Sequence, residues 1–288
     1  MLVALCVLLS PSACFRIDPL EVSEEHEELV KLPGTGEPET PKAEWIFYSG
    51  WETATGVTEE AITDGGRWAD YKYDPNLSVV TKPSPCGLGG NVLRIQWDKY
   101  GAADCSDGSN NFVELFPQLP NPFYLRVYFY SEDPREYSGC GGRKFFHIKE
   151  GSAGLYLYDA GGNNVRLHAK NFAVPDTNGY NTRSAKHLDG SKNWPGQESK
   201  GIVRPNRWYC IEFAHYRHNT NGWIKAWLNG KLVINASKEA WRAKRYDTDD
   251  GQTTWIQMPS FRNGGTMTDH TEYLDGFVIS RSYIGLAK

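Results

Sequence analysis

The sequence predicts an all-β protein, one large sandwich of two antiparallel sheets. Three observations predict it. Short runs rich in β-branched and aromatic residues recur from Glu44 to the C-terminus, and none keeps a helical period over three turns. Glycine pairs fall between the runs as turn signals, at Gly65-Gly66, Gly89-Gly90, Gly161-Gly162 and Gly264-Gly265. No internal repeat divides the 288 residues, so a single sandwich is preferred to two domains.

The strands are expected at 45–48, 77–81, 91–97, 111–116, 124–131, 144–149, 154–158, 165–172, 208–217, 223–228, 231–235, 253–259 and 272–280. The clearest stretch is 207–236, RWYCIEFAHYRHNTNGWIKAWLNGKLVINA. Two turn signals split it into three runs. The second, Asn229-Gly230, favours a two-residue hairpin because both residues tolerate positive φ. The stretch therefore reads as an antiparallel meander. One of its faces packs on a core, and the other carries Glu212, Tyr216, Lys225 and Trp227.

The first 43 residues read differently. Residues 1–14, MLVALCVLLSPSAC, are apolar and then small, as in a signal peptide. Ser12-Ala13-Cys14 resembles the end of a bacterial lipoprotein signal, with Cys14 as the lipidated residue. The run is too short to span a bilayer. Residues 15–43 form an acidic, proline-containing tether: 21–40 alone hold seven Glu against one Lys. The sandwich domain is 44–288. The expectation is a secreted or surface-exposed monomer, touching a membrane only through a lipid at Cys14.

Hydrophobic content of 40% and charged content of 23% allow a sizeable core and exclude a disordered chain. The formal net charge of −4 gives no reason to expect nucleic-acid binding. Four cysteines lie in the domain, Cys86, Cys105, Cys140 and Cys210, without a zinc-binding CxxC pair. In an exported chain Cys86 and Cys105 can close a loop stabilised by about 3 kcal/mol. Cys140 and Cys210 can pair or stay reduced, and Cys210 also reads as an ordinary buried strand residue.

Strand alternation assembles the candidate site. Regular alternation puts Arg143, His147 and Lys149 on one face and Lys144 on the other. Tyr156 and Tyr158 share a face, as do Arg166, His168 and Lys170. Glu212 and Tyr216 share a face in the meander. If these strands are neighbours in one sheet, their polar faces form one surface rich in His, Arg, Lys and Tyr, suited to an anionic polysaccharide. Elimination at a uronate needs that mixture. A cation or amide must neutralise the C5 carboxylate, a base must take the C5 proton, and an acid must protonate the leaving oxygen. Arg166 or Arg143 suits the first role, His147 or His168 the second, and Tyr158 or Tyr216 the third. Arg143, Lys149, Tyr156, Lys170, Glu212, Lys225 and Trp227 are expected to bind the polymer. No obvious carboxylate pair for hydrolysis lies on this face.

The order of several short motifs resembles the jelly-roll polysaccharide lyases of the concanavalin A-like superfamily, the group with alginate and glucuronan lyases. The motifs are Ser49-Gly50-Trp51-Glu52, Asp64-Gly65-Gly66-Arg67-Trp68, Gly142-Arg143-Lys144-Phe145-Phe146 and Gly154-Leu155-Tyr156. Trp208-Tyr209-Cys210-Ile211-Glu212, Trp227-Leu228-Asn229-Gly230, Tyr273-Leu274-Asp275-Gly276-Phe277-Val278-Ile279-Ser280 and Tyr283-Ile284-Gly285 complete the set. The resemblance implies a concanavalin A-like jelly-roll sandwich and cleavage of an acidic polysaccharide by β-elimination. It maps the family's functional lysine onto Lys144, which a β-bulge at the Gly141-Gly142 end would bring to the His147 face. No cofactor is required. A structural calcium has candidate ligands in Asp247–Gly251, or in Glu52 and Asp275. A non-catalytic carbohydrate-binding sandwich using the same face is the alternative.

Overall fold

The computed structural model describes residues 42–51, 62–63, 68–71, 77–85, 90–97, 113–115, 119–132, 143–148, 153–161, 164–171, 183–184, 202–216, 223–237, 256–258 and 270–287. Every regular element among them is a β-strand. In chain order they are β1 (Trp45–Ser49), β2 (Ile62–Thr63), β3 (Trp68–Tyr71), β4 (Leu77–Thr81), β5 (Asn91–Trp97), β6 (Val113–Leu115), β7 (Phe123–Ser131), β8 (Arg143–Ile148) and β9 (Ala153–Gly161). Then come β10 (Asn164–Asn171), β11 (Arg183–Ser184), β12 (Ile202–Val203), β13 (Trp208–Tyr216), β14 (Trp223–Leu228), β15 (Lys231–Ser237), β16 (Ile256–Met258) and β17 (His270–Ser280).

The strands form two antiparallel sheets. The first runs β15-β14-β13-β7-β17-β1-β2, with β5 also on β17 and β4 on β5. The second runs β11-β10-β9-β8-β16-β6-β3, with β12 on β10. The expected all-β sandwich is what the chain adopts. Each expected strand has a counterpart. The pieces without a predicted counterpart, β2, β3, β11 and β12, are two to four residues long, too short to carry an alternating pattern.

Alternation explains the core. In β14 the buried Ile224, Ala226 and Leu228 alternate with the half-buried Trp223, Lys225 and Trp227. In β13 the core side is Tyr209, Ile211 and Phe213. These residues cluster with Phe47, Leu125, Val127 and Leu274 of the first sheet, and with Leu167 of β10 and Val203 of β12. The inner faces of both sheets thus contribute to one core, as in a face-to-face sandwich. Full burial of each such side chain is worth about 1.5–3 kcal/mol, so the fold rests chiefly on this layer.

The meander forms as the sequence predicts. Asn229 and Gly230 have φ of 51° and 76°, the double positive φ of a type I′ turn. Asn229 also ties the turn down: its side-chain Oδ1 accepts from the Cys210 backbone amide at 2.9 Å, and its backbone N–H donates to the Cys210 carbonyl at 2.8 Å. Cys210 is buried in β13 beside Tyr128 and Ala287, as an ordinary strand residue would be.

Past β17 the chain does not leave the domain. Residues 281–287 run as a strap over the outer face of the first sheet. The Glu212 carboxylate accepts from the amides of Ile284 (2.8 Å) and Gly285 (3.0 Å). Arg126 donates to the Gly285 carbonyl at 3.1 Å, and the Tyr128 hydroxyl accepts from the Ala287 amide at 2.7 Å. Arg126, Tyr128 and Glu212 are consequently buried, although they lie on the side of the sheet away from the core.

Residues 1–41, which include the expected signal, Cys14 and most of the tether, lie outside the described residues, as do Cys86, Cys105, Cys140, Glu52 and Asp247–Gly251. Asp275 is buried in β17. Its carboxylate accepts from the Gly276 amide at 2.6 Å and from the Ser84 hydroxyl. Among the described residues no three His, Cys, Asp or Glu side chains gather as a metal site.

Candidate functional site

The register of β8, β9 and β10 aligns the candidate residues in rows. In antiparallel strands, residues directly opposite one another share a face. Lys144 of β8 lies opposite Tyr156 of β9, which lies opposite His168 of β10. Tyr158 is opposite Arg166, one step along the same face. On the other side of the Lys144 row, His147 is opposite Gly154, and Gly154 is opposite Lys170. Leu167, between Arg166 and His168 in sequence, is fully buried in the core. The rows of Arg166 and His168 therefore belong to the face of the second sheet away from the core.

A bulge puts Lys144 and His147 on the same face. The register of β8 against β9 shifts between Lys144 and Phe146, so Phe145 is an extra residue. A single added residue reverses the alternation beyond it. This bulge lies at Phe145; the Gly141-Gly142 end, where the sequence suggested one, lies outside the described residues. The same shift corrects Arg143. Its position is opposite Leu157, which is opposite Leu167, so Arg143 occupies a core-face row instead of the row of His147. Lys149 lies outside the described residues.

Three positions on this face were not anticipated. Gln257 of β16 is opposite His147 and also opposite Glu114 of β6, and Glu114 is opposite Asp70 of β3. One row thus reads Lys170, Gly154, His147, Gln257, Glu114, Asp70. Gly154 leaves this row without a side chain between Lys170 and His147. The missing carboxylate pair is also corrected: the register sets Asp70 and Glu114 directly opposite each other. Strands β16, β6 and β3 span three or four residues each, which left their partners unreadable.

The single surface expected from the sequence is not formed. β13 pairs with β14 and β7 in the first sheet, whereas β8–β10 belong to the second. Glu212, Tyr216, Lys225 and Trp227 therefore lie on the outer face of the opposite sheet and cannot share a ligand-contact row with His147 or His168. Glu212 is also only 2% exposed, and both its oxygens are engaged by the strap. Burial pushes its carboxyl up from 4.5 to about 7, against the opposing pull of those two hydrogen bonds and of Arg126 and Lys42. Its place is structural, beneath the strap, instead of in contact with a polymer.

Around Glu212 the outer face is aromatic. Tyr216 and Trp223 are cross-strand partners with ring centroids 6.0 Å apart. Tyr124 of β7 sits 6.4 Å from both Trp223 and Trp227, and Trp227 is 5.1 Å from Tyr283 of the strap. The Lys225 ammonium lies 4.7 Å from the centre of the Trp223 ring.

No family model matches the chain, and no curated protein matches it. Its fold does match solved structures. An endo-β-1,4-glucuronan lyase from the fungus Trichoderma reesei is similar with a TM-score of 0.53 and 14% identity, over 84% of this chain and 98% of that one. The receptor-binding domain of botulinum neurotoxin type G gives 0.46 and 12%, over 85% and 49%. The catalytic domain of a glycoside hydrolase family 131 protein from Coprinopsis cinerea gives 0.41 and 11%, over 77% and 86%. At 14% identity the likeness to the glucuronan lyase speaks to the fold alone, and it agrees with the all-β sandwich that the strand pairing shows.

Proposed function

We propose that the chain is an exported polysaccharide lyase that cleaves a uronate-containing polymer by β-elimination on the face of β8, β9 and β10. The observation that carries the reading is the register: Lys144, Tyr156 and His168 in one row, flanked by Tyr158 with Arg166 and by His147 with Gln257. The reaction makes three demands, and this face has a residue type for each. Arg166 or Lys144, helped by the Gln257 amide, neutralises the C5 carboxylate and so acidifies the C5 proton. His147 or His168 takes that proton as general base. Tyr158 or Tyr156 protonates the departing glycosidic oxygen. Tyr216, in the other sheet, has no part in this scheme. The fold-level likeness to a glucuronan lyase agrees with the reading and adds no residue to it.

The test is a panel of alginate, glucuronan, pectate and glycosaminoglycans, followed by the ultraviolet absorbance of the unsaturated uronate product. A rise with one polymer establishes elimination. Replacing both His147 and His168 with Ala is expected to lower turnover by at least about 10²-fold, the usual weight of a general base, while polymer binding persists. Turnover that survives both changes sinks the base assignment. Binding without any absorbance rise favours a non-catalytic carbohydrate-binding sandwich.

The opposed carboxylates Asp70 and Glu114 support a second reading, hydrolysis with one acting as acid and the other as nucleophile or base. It predicts new reducing ends without ultraviolet absorbance, abolished by Glu114→Gln.

A further inference from the structure

We infer that the outer face of the first sheet is a second, non-catalytic polysaccharide-binding surface, built from Tyr216, Trp223, Tyr124, Trp227 and Tyr283 with Lys225. The inference rests on the proposed function only for the identity of the polymer.

The surface is constructed around Ala214. In the register Ala214 lies between Lys225 of β14 and Tyr124 of β7. The adjoining rows hold Tyr216 opposite Trp223, and Glu212 opposite Trp227. Ala214 faces away from the core, yet it is fully buried. Lys225 and Tyr124 lie directly opposite it, and the rows on either side carry Tyr216, Trp223 and Trp227. The strip from Tyr216 through Trp223, Tyr124 and Trp227 to Tyr283 advances in steps of 5.1 to 6.4 Å, with planes tilted by 35° to 59° from ring to ring. The result is a curved aromatic strip. Its end ring, Tyr283, is 45% exposed.

Size and charge select the occupant. At ~150–250 Å² per ring, four half-buried rings and Tyr283 leave roughly 400 Å² open. A stable protein interface needs about 800 Å² per partner, so the strip is undersized for a second copy of the chain. It suits one extended sugar chain, whose pyranose rings offer flat C–H faces to aromatic faces. The cation in the strip is Lys225, with the exposed Asn235 opposite it on β15. The carboxyl group of Glu212, in the row of Trp227, is covered by the strap, whose Ile284 and Gly285 amides occupy its oxygens, so it is not presented to a ligand. A polymer carrying uronate carboxylates therefore finds stacking and charge together, on the side of the sandwich opposite the β8–β10 face. Such a surface would hold the chain on a long polymer between cleavage events.

Affinity electrophoresis of the full chain in gels containing glucuronan or alginate tests this, beside turnover on the polymer and on short uronate oligosaccharides. Replacing both Trp223 and Trp227 with Ala is expected to weaken retention by about tenfold or more and to leave oligosaccharide turnover unchanged. The double Phe variant, which keeps rings in place, should retain most of the affinity, and Lys225→Glu should weaken retention by uronate polymers alone. Unchanged retention in a folded Trp-to-Ala variant overturns the inference. So does a wild-type dimer that the same variant converts to monomer, since a second copy would then be the occupant. The two proposals fail separately. Loss of turnover in the His147 and His168 variant with no effect of the Trp changes removes only the second surface. Trp-dependent retention without any turnover removes only the lyase.

Discussion

Glu212 gives the sharpest physical test of the fold. Its carboxyl is held between β13 and the strap, where burial raises it from 4.5 to about 7. At about 1.4 kcal/mol per pKa unit, that rise corresponds to about 3 kcal/mol of pH-dependent stability. The unfolded chain loses this proton near 4.5, and the native chain keeps it to about 7. Between those values the native state binds more protons, so stability falls as pH rises through the window. The contribution is fully present below the lower value and lost above the upper one. Urea denaturation of the wild type and of Glu212→Gln across the window isolates it, because the other carboxylates cancel in the difference. Below the window the two proteins should be nearly equal in stability, since the protonated carboxyl and the amide each present one carbonyl acceptor to the Ile284 and Gly285 amides. The difference should then shift by about 3 kcal/mol in favour of the variant as pH rises through the window. A difference that stays flat would refute the argument. A shift of the opposite sign would mean that Arg126 and Lys42 outweigh burial. Tyr124 and Tyr283 provide an independent readout: each hydroxyl is pushed up first by burial and then by the Glu212 charge, so both should titrate lower in the variant.

Other expectations follow from single residues. Phe213 is fully buried in the main core, and Phe213→Ala should cost about 3–5 kcal/mol in chemical denaturation. Gly230 holds a φ of 76°, so Gly230→Ala should cost about 1–2 kcal/mol through left-handed strain, although the nearest atom to a new Cβ, on Leu286, is at an ordinary 3.6 Å. Tyr128→Phe removes the acceptor for the Ala287 amide and should cost about 1 kcal/mol, with faster amide exchange at Ala287. The bulge at Phe145 predicts an asymmetry between neighbours. Lys144→Ala, which removes a cation from the C5 carboxylate, should lower turnover by at least about 10²-fold, and Arg143→Ala should leave it within a few-fold in protein that remains folded. Equal effects of the two would contradict the register.

The sequence made the local structure legible and the long-range pairing illegible, and the site fell between them. The meander of β13, β14 and β15 could be read because its turn chemistry and its alternation are both local: Asn229-Gly230 fixes the hairpin, and Ile224, Ala226 and Leu228 mark the core side. Nothing local says that β13 pairs with β7, where Cys210 meets Tyr128, or that β8 meets β16 instead of the meander. Those pairings close long loops, and the alternation of a strand reports its faces without naming its neighbours. The single polar surface was therefore divided between two sheets. The bulge shows the same limit at smaller scale. Two glycines drew attention to residues 141 and 142, whereas the extra residue is Phe145, which no turn preference distinguishes. One residue decides whether Lys144 or Arg143 shares a face with His147. Paired in a regular ladder, Phe145 would put Arg143 on that face and turn Lys144 to the core side, whereas deleting Phe145 would remove the bulge and leave Lys144 and His147 on one face. Placing the lysine and the histidines together is thus a property of the register, and the register is set by the whole sheet.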